Sequence, residues 1–248
     1  MADYRALISS DWNECLAPCG PFDAIAHAYP ELKSALAAVF RRYTGNEITL
    51  GEAASRIESI LPAPLTAPQV DAYLDSEFAT YRGVPGLIRW ASENRILMMI
   101  NTTGMIGYFQ RVFAGGRLPV VPLLAAHRLI RFPTSATDPE TVCSLSETTD
   151  KPVHTEAAAR RFCIPFSRVA VIGDSGGDGP HFVWAAENGA MRIGSMTKAS
   201  LEAFCRRSRV SIDRRFGVSY APGEQRNPEA EMAFDFQDLV PELADRLL

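Results

Sequence analysis

Val169-Ala170-Val171-Ile172-Gly173-Asp174-Ser175-Gly176-Gly177-Asp178-Gly179 decides how this chain reads. Its first part is a short β-branched apolar run, the pattern of a strand buried on both faces. The run stops at Gly173-Asp174, and a glycine-rich polar loop carrying Asp178 follows. Open α/β sheets place their ligands just beyond the carboxyl ends of such strands. Carboxylates at that place offer hard oxygen donors suited to a cation such as Mg²⁺. A plain turn with two solvated aspartates fits the same residues, so the stretch has to be weighed with the rest of the chain.

A chain of 248 residues is long enough for one large domain, or for a core domain with an insert. With 47% apolar and 22% charged residues it has ordinary globular composition. The net charge of −4 argues against a protein built to hold nucleic acid. No apolar run approaches the roughly 20 residues of a membrane-spanning helix. The opening Met1-Ala2-Asp3-Tyr4-Arg5 carries an acidic residue and leads into a short strand, unlike a signal peptide. Five scattered cysteines point to free thiols in a reducing compartment, so a cytoplasmic location is expected. Oligomeric state is open.

Upstream, Arg5–Ser10 reads as a second buried strand, and it too ends in an aspartate, Asp11. A carboxylate there serves as a metal ligand or as a nucleophile. From about Phe22 to Tyr81 the character turns helical. Leu32, Leu36, Val39 and Phe40 fall at helical spacing, with Gly45 as a stop. Thr49–Glu52 and Thr66–Gln69 have capping-box spacing ahead of apolar faces. Successive amphipathic helices with no strand between them form a small bundle interrupting a β/α chain. Residues 21–82 are therefore expected to be an inserted cap domain, with residues 1–20 and 83–248 as the core.

The alternation resumes with a helix near Leu87–Asn94 and a strand at Ile96–Ile100. That strand is expected to end at Asn101-Thr102-Thr103-Gly104, whose hydroxyls and free N–H groups open the next helix. A helix near Tyr108–Phe113 and an apolar piece at Val120-Val121 follow, and His127–Asp150 reads as loop or edge hairpin. Lys151-Pro152 opens another helix, with proline in its first turn. Beyond the Asp174 loop come a helix at Pro180–Glu187, a strand at Ala190–Gly194 and a helix at Thr197–Arg207. Arg206, Arg207, Arg209, Arg214 and Arg215 read as a solvated face, and Phe234–Phe236 as a last strand. The four histidines are isolated, and His181 is the one retained as a pocket residue.

Strands alternating with helices imply a parallel sheet whose carboxyl ends meet along one edge. Asp11, Thr102, Lys151, and Asp174 with Asp178 stand in order at such ends. This order resembles the haloacid dehalogenase superfamily, over nearly the whole chain. The helical insert resembles the caps of its phosphoserine phosphatase and MtnX-like branch. The resemblance implies a Rossmann-like α/β fold and a phosphatase acting on a small phosphorylated metabolite. It implies that Asp11 attacks phosphorus, that Thr102 and Lys151 bind the transferring group, and that Thr103 and Arg56 contact substrate. It implies Mg²⁺ held by Asp11, the Asn13 carbonyl and Asp174, with Asp178 supporting the metal or orienting Lys151.

The first motif departs from the family. Asp-x-Asp-Gly-Thr/Ser is usual, and here Asp11-Trp12-Asn13-Glu14-Cys15 stands instead. The second aspartate is the general acid, and Asn13 has no proton to give, which removes a contribution of about 10²–10⁴-fold. Gly20 occupies the place of a cap-side acid that phosphoserine phosphatases carry, which argues against phosphoserine as substrate. The competing readings are a catalytically inactive relative that keeps the pocket for binding or regulation, and a non-phosphatase chemistry. For the latter, Lys33 is a poor candidate for a Schiff base. A metal or redox module on Cys15-x-x-x-Cys19 lacks a second ligand pair.

Overall fold

The computed structural model describes residues 3–44 and 47–248, which leaves the expected helix stop at Gly45 outside the described residues. A parallel sheet of seven strands runs through it in the order β4-β3-β2-β1-β5-β6-β7. The strands are β1 (Ala6–Ser10), β2 (Ile96–Met105), β3 (Leu123–His127), β4 (Thr141–Ser144), β5 (Val169–Gly173), β6 (Met191–Thr197) and β7 (Arg214–Ser219). β1 lies in register with β2 from Ala6↔Ile96 and with β5 from Leu7↔Val169.

Alternate residues of these strands feed two separate cores. Ala6, Ile8, Met98, Ile100, Ala170 and Ile172 join one, while Leu7, Leu97, Met99, Val169 and Val171 join the other. That is the two-residue period of a strand with both faces covered. The first core is closed by α5 (Val84–Glu93), α6 (Ile106–Ala114) and α11 (Val240–Leu247), the second by α7 (Asp150–Arg161), α8 (Gly179–Glu187) and α9 (Ala199–Ser208).

Between β1 and α5 run α1 (Asp23–Ala28), α2 (Lys33–Thr44), α3 (Leu50–Ile60) and α4 (Ala67–Glu77). Both capping boxes are in place, with Thr49 paired to Glu52 and Thr66 to Gln69. Ile25, Leu36, Ile57, Val70 and Leu74 pack into the same core as one face of the sheet. Polar links tie these helices to the sheet domain, among them an Arg117–Asp75 ion pair. Arg111 on α6 grips Asp71 through two bonds of 2.8 Å. Glu147 accepts the N–H groups of Leu50 and Gly51, at 3.1 and 3.0 Å, at the start of α3. No described helix is long and apolar enough to cross a membrane.

Several elements differ from the expectation. β2 does not end at Asn101: Asn101–Met105 stay extended through a register shift, and the helix starts at Ile106. The third strand begins at Leu123, beyond half-exposed Val120. The expected loop or hairpin contains β4, a four-residue edge strand parallel to β3. β7 lies within the expected arginine face. Arg215 pairs with Glu202 at 2.6 Å and Arg214 with Glu242 at 3.3 Å, while only Phe216 turns inward. Edge strands carry little of the apolar run that marks central ones, so both escaped the hydrophobic pattern. Phe234–Phe236 is no strand. Asp235 makes a lone bridge with Arg82, and a 3₁₀ turn starts at Phe236.

Candidate active site

The chain leaves β1 toward β2 on one side and reaches β5 on the other, so β1 sits where the strand order reverses. Such a switch point opens a crevice beyond the carboxyl ends of the strands. Asp11 stands at that end, its N–H still donating to Ile172 O at 2.9 Å. Its Oδ1 accepts from the Trp12 N–H at 2.8 Å. The chain then coils tightly, with Trp12 O accepting from Leu16 N at 2.9 Å and Ala17 N at 3.1 Å. Trp12 is fully buried against Phe109 and Phe78, as wall rather than contact surface.

Lys151, at the start of α7, enters from the side, its Nζ 3.2 Å from Asp11 Oδ2 and 2.6 Å from Asp178 Oδ1. Asp178 Oδ2 accepts the N–H groups of Asp174 at 3.0 Å and Ser175 at 3.3 Å. Gly173 makes this fold-back possible, because a Cβ there would lie 2.6 Å from Asp178 Cβ. Thr102 is buried beside Asp11 and its hydroxyl accepts from Gly104 N at 3.2 Å. Asn101 builds the floor, donating to Lys151 O at 2.9 Å and Thr155 Oγ1 at 3.1 Å.

Burial raises the Asp11 carboxyl above its ordinary value despite the pull of Lys151. Burial also pushes Asp174 up to about 7, against Lys198 and with the help of the other two carboxylates. For Asp178 the burial penalty is outweighed by Lys151 and the backbone N–H groups, which hold it below its ordinary value. Burial works against the Lys151 ammonium too, and Asp11 and Asp178 more than offset it, so its pKa lies well above the usual one. The group is thus a buried ammonium clasped by carboxylates of unequal acidity.

Asp11, Asp174 and Asp178 each bring one oxygen within 4.8 Å of the others. Asp174 Oδ2 is sealed from water and meets only the Lys198 ammonium, at 2.6 Å. Three hard, buried oxygen donors gathered this closely, with two ammonium groups against them, fit a small divalent cation such as Mg²⁺.

The other expected residues fall in different places. Asn13 is exposed, and its side chain lies so close over Gly20 that a Cβ there would overlap it. Thr103 is half-buried at the rim. Arg56 is exposed on α3, and among the described residues no hydrogen bond or ion pair joins its side chain to the carboxylates. Lys33 is exposed on α2. His181 does not line a pocket: it is buried on α8, 2.9 Å from Thr155 Oγ1, and burial pushes its pKa down to about 3. Cys15 is buried near Ser10, whereas the Cys19 thiol turns away to Glu77 O at 3.5 Å, so the two do not form a ligand pair.

Sequence reasoning missed two side chains. Lys198 Nζ lies 2.6 Å from Asp174 Oδ2 and also pairs with Glu14. It follows β6, so the strand-end rule that singled out Asp11 and Asp174 would have found it had β6 been read to its end at Thr197 rather than Gly194. Tyr43 reaches in from α2 toward Thr103, Lys151 and Asp11. Burial pushes its phenol up to about 12, so it remains a donor at neutral pH. Nothing in the helical pattern around Tyr43 marked it out.

No family model and no curated protein sequence matches the chain. Solved structures do. A phosphoserine phosphatase captured as an analogue of its phospho-aspartyl intermediate superposes with a TM-score of 0.66 at 14% identity, covering 96% of this chain and 99% of that one. A substrate-bound phosphoserine phosphatase gives 0.66 at 11% identity, with 96% and 98% covered. A HAD family hydrolase from Salmonella enterica serovar Typhi gives 0.64 at 14% identity, with 86% and 68% covered. At these identities the likeness is one of architecture, and it extends through the four helices between β1 and α5. The chain has the fold shared by these phosphoserine phosphatases and the HAD family hydrolase.

Proposed function

We propose that the protein is a Mg²⁺-dependent phosphatase that hydrolyses a small phosphorylated metabolite through an aspartyl phosphate on Asp11. One observation carries this reading: Lys151 lies 3.2 Å from Asp11 at the switch point, with Asp174 and Asp178 gathered around the same spot. In this reading an Asp11 oxygen attacks phosphorus and the bond to the leaving oxygen breaks. Water then cleaves the acyl phosphate, releasing inorganic phosphate and restoring the carboxylate. Lys151 and the Thr102 hydroxyl neutralise and orient the transferring group, where fixed positive charge counts most. Asp178 keeps Lys151 in place. Asp11, Asp174 and the Asn13 carbonyl would hold Mg²⁺, which would offset the repulsion between an anionic nucleophile and an anionic substrate. Thr103 and Tyr43 present hydroxyls to the substrate, and Arg56 on α3 serves as a cap-side cation for it.

Asn13 supplies no proton to the leaving oxygen, so the substrate must have a good leaving group or bring its own proton. Residues 21–82 act as the cap over a core of residues 1–20 and 83–248, and the enzyme works in the cytoplasm. The same Asn13 supports a second reading, a relative that binds a phosphorylated ligand without turning it over, or that carries out another chemistry of the superfamily. Phosphate release from p-nitrophenyl phosphate, with and without Mg²⁺, separates them. Mg²⁺-dependent turnover in the wild type that vanishes in Asp11→Asn supports the phosphatase. Silence in the wild type with turnover in Asn13→Asp supports the binding protein.

A further inference from the structure

Beyond Asp174 runs an unbroken line of alternating charges. Lys198 Nζ sits 2.6 Å from Asp174 Oδ2 and in ion-pair contact with Glu14 on its other side. Glu14 pairs with Arg226 at 2.5 Å, and Arg226 with Glu231 at 2.5 Å. Glu231, fully buried, accepts hydrogen bonds from the Tyr81 and Tyr220 hydroxyls at 2.5 and 2.7 Å. Glu14 itself sits in the left-handed region at φ 58°, a conformation uncommon for residues other than glycine. The outer part of this line is anchored to the C-terminal segment. Its inner end, Lys198, lies against a carboxylate oxygen of the acidic cluster that is sealed from water.

We infer that Lys198 is a tethered counter-cation that competes with the divalent ion for Asp174, and that Glu14 retains the ammonium when the ion is bound. The inference rests on the metal-binding part of the proposed function. Without Lys198, the carboxylates of Asp11, Asp174 and Asp178 would share the single ammonium of Lys151. Lys198 relieves that repulsion and lets the acidic cluster stay packed before any metal arrives. An entering divalent ion then meets a fixed positive charge within a few ångströms, in surroundings that screen poorly. Lys198 can yield because its second anchor, Glu14, stays in place through Arg226. The same two anchors make the affinity for metal a matter of how readily the ammonium shifts from Asp174 toward Glu14.

The test is Mg²⁺ binding to the full-length protein by calorimetry, with no phosphorylated compound present, and Mn²⁺ binding followed by electron paramagnetic resonance as a second probe. Lys198→Met binds both ions at least about tenfold more tightly than wild type, and Lys198→Arg binds them as wild type does. Glu14→Gln, which removes the second anchor, binds them more weakly, and this loss disappears on the Lys198→Met background. Unchanged or weaker binding in Lys198→Met overturns the inference and leaves Lys198 as a positioning residue for Asp174. Absence of binding in Lys198→Met overturns it as well. Should Lys198→Met fail to fold, the Glu14→Gln titration decides, and wild-type affinity there refutes the competition. Turnover of p-nitrophenyl phosphate is scored separately. Tighter metal binding without turnover upholds the competition and sinks the phosphatase, whereas Mg²⁺-dependent turnover with unchanged affinity does the reverse.

Discussion

Lys151 and Asp178 meet at 2.6 Å with both side chains almost wholly out of water. Breaking a buried pair by removing one partner leaves an uncompensated charge. Asp178→Ala should destabilise the protein by about 3–5 kcal/mol. Urea unfolding at neutral pH measures it, and a loss under about 1 kcal/mol would mean that Asp11 alone satisfies the ammonium.

Gly173→Ala places a methyl group 2.6 Å from Asp178 Cβ, between a strand and the loop folded against it. Neither side is a flexible chain end, so the loop must move. The expected loss is about 1–3 kcal/mol of stability. Asp178 is displaced with it, so turnover should fall more than stability does. Thermal unfolding and p-nitrophenyl phosphate hydrolysis on the same preparation give the comparison.

Asn13→Asp exchanges an amide for a carboxyl of the same shape, so the close fit over Gly20 is kept. If Asp11 is the nucleophile, the variant should gain turnover of alkyl phosphates by about 10²–10⁴-fold. The gain should be much smaller on p-nitrophenyl phosphate, whose leaving group needs little protonation. Equal gains on both substrates would show that the new carboxyl does something other than protonate the leaving oxygen.

His181 governs part of the acid limb of stability. Burial lowers its pKa to about 3 in the fold, from an ordinary value of 6.5. The unfolded chain therefore takes up a proton in a range where the folded protein stays neutral. The stability this group contributes is complete above pH 6.5 and is lost as the pH falls from there toward about 3. His181→Gln should flatten that limb relative to wild type, read as the difference in melting temperature between pH 7 and pH 4.5. Parallel curves would refute a neutral buried imidazole.

Glu147 caps α3 from another part of the chain through the N–H groups of Leu50 and Gly51. Glu147→Ala should cost about 1 kcal/mol. It should also speed amide exchange at Leu50 and Gly51 more than at Val70 on α4. Uniform acceleration across the four helices would place the effect elsewhere.

The central strands were legible because burial on both faces leaves continuous apolar runs, as in Val169–Ile172 and Ile96–Ile100. Asp11 and Asp174 stood out because each stands at the end of a buried strand, and Lys151 because a proline marks the start of its helix. β4 and β7 were not legible, since Thr141–Ser144 and Arg214–Ser219 face solvent on an edge and carry polar side chains. The extension of β2 through Met105 was hidden for a different reason. Its Asn-Thr-Thr-Gly composition is that of a cap, and pairing with β3 at either end, Asn101↔Ala125 and Met105↔His127, overrides it. Lys198 was lost with the last residues of β6. Tyr43 reaches the site only through the packing of α2 on the sheet domain, and no local pattern records where a helix will come to rest.

Asp11, Thr102, Lys151 and Asp174 are each delivered by a separate passage of the chain across a parallel sheet. None of them is brought near another by a hairpin or a short loop. Parallel pairing closes long loops before it returns any contact, so such sites are among the last features to form during folding. A ribosome-bound or truncated chain ending before β5 contains the aspartate after β1 but no acidic cluster. If the cluster holds a metal as proposed, recovery of metal binding in refolding should therefore follow the global transition rather than precede it, which would make the cluster an internal clock for completion of the sheet.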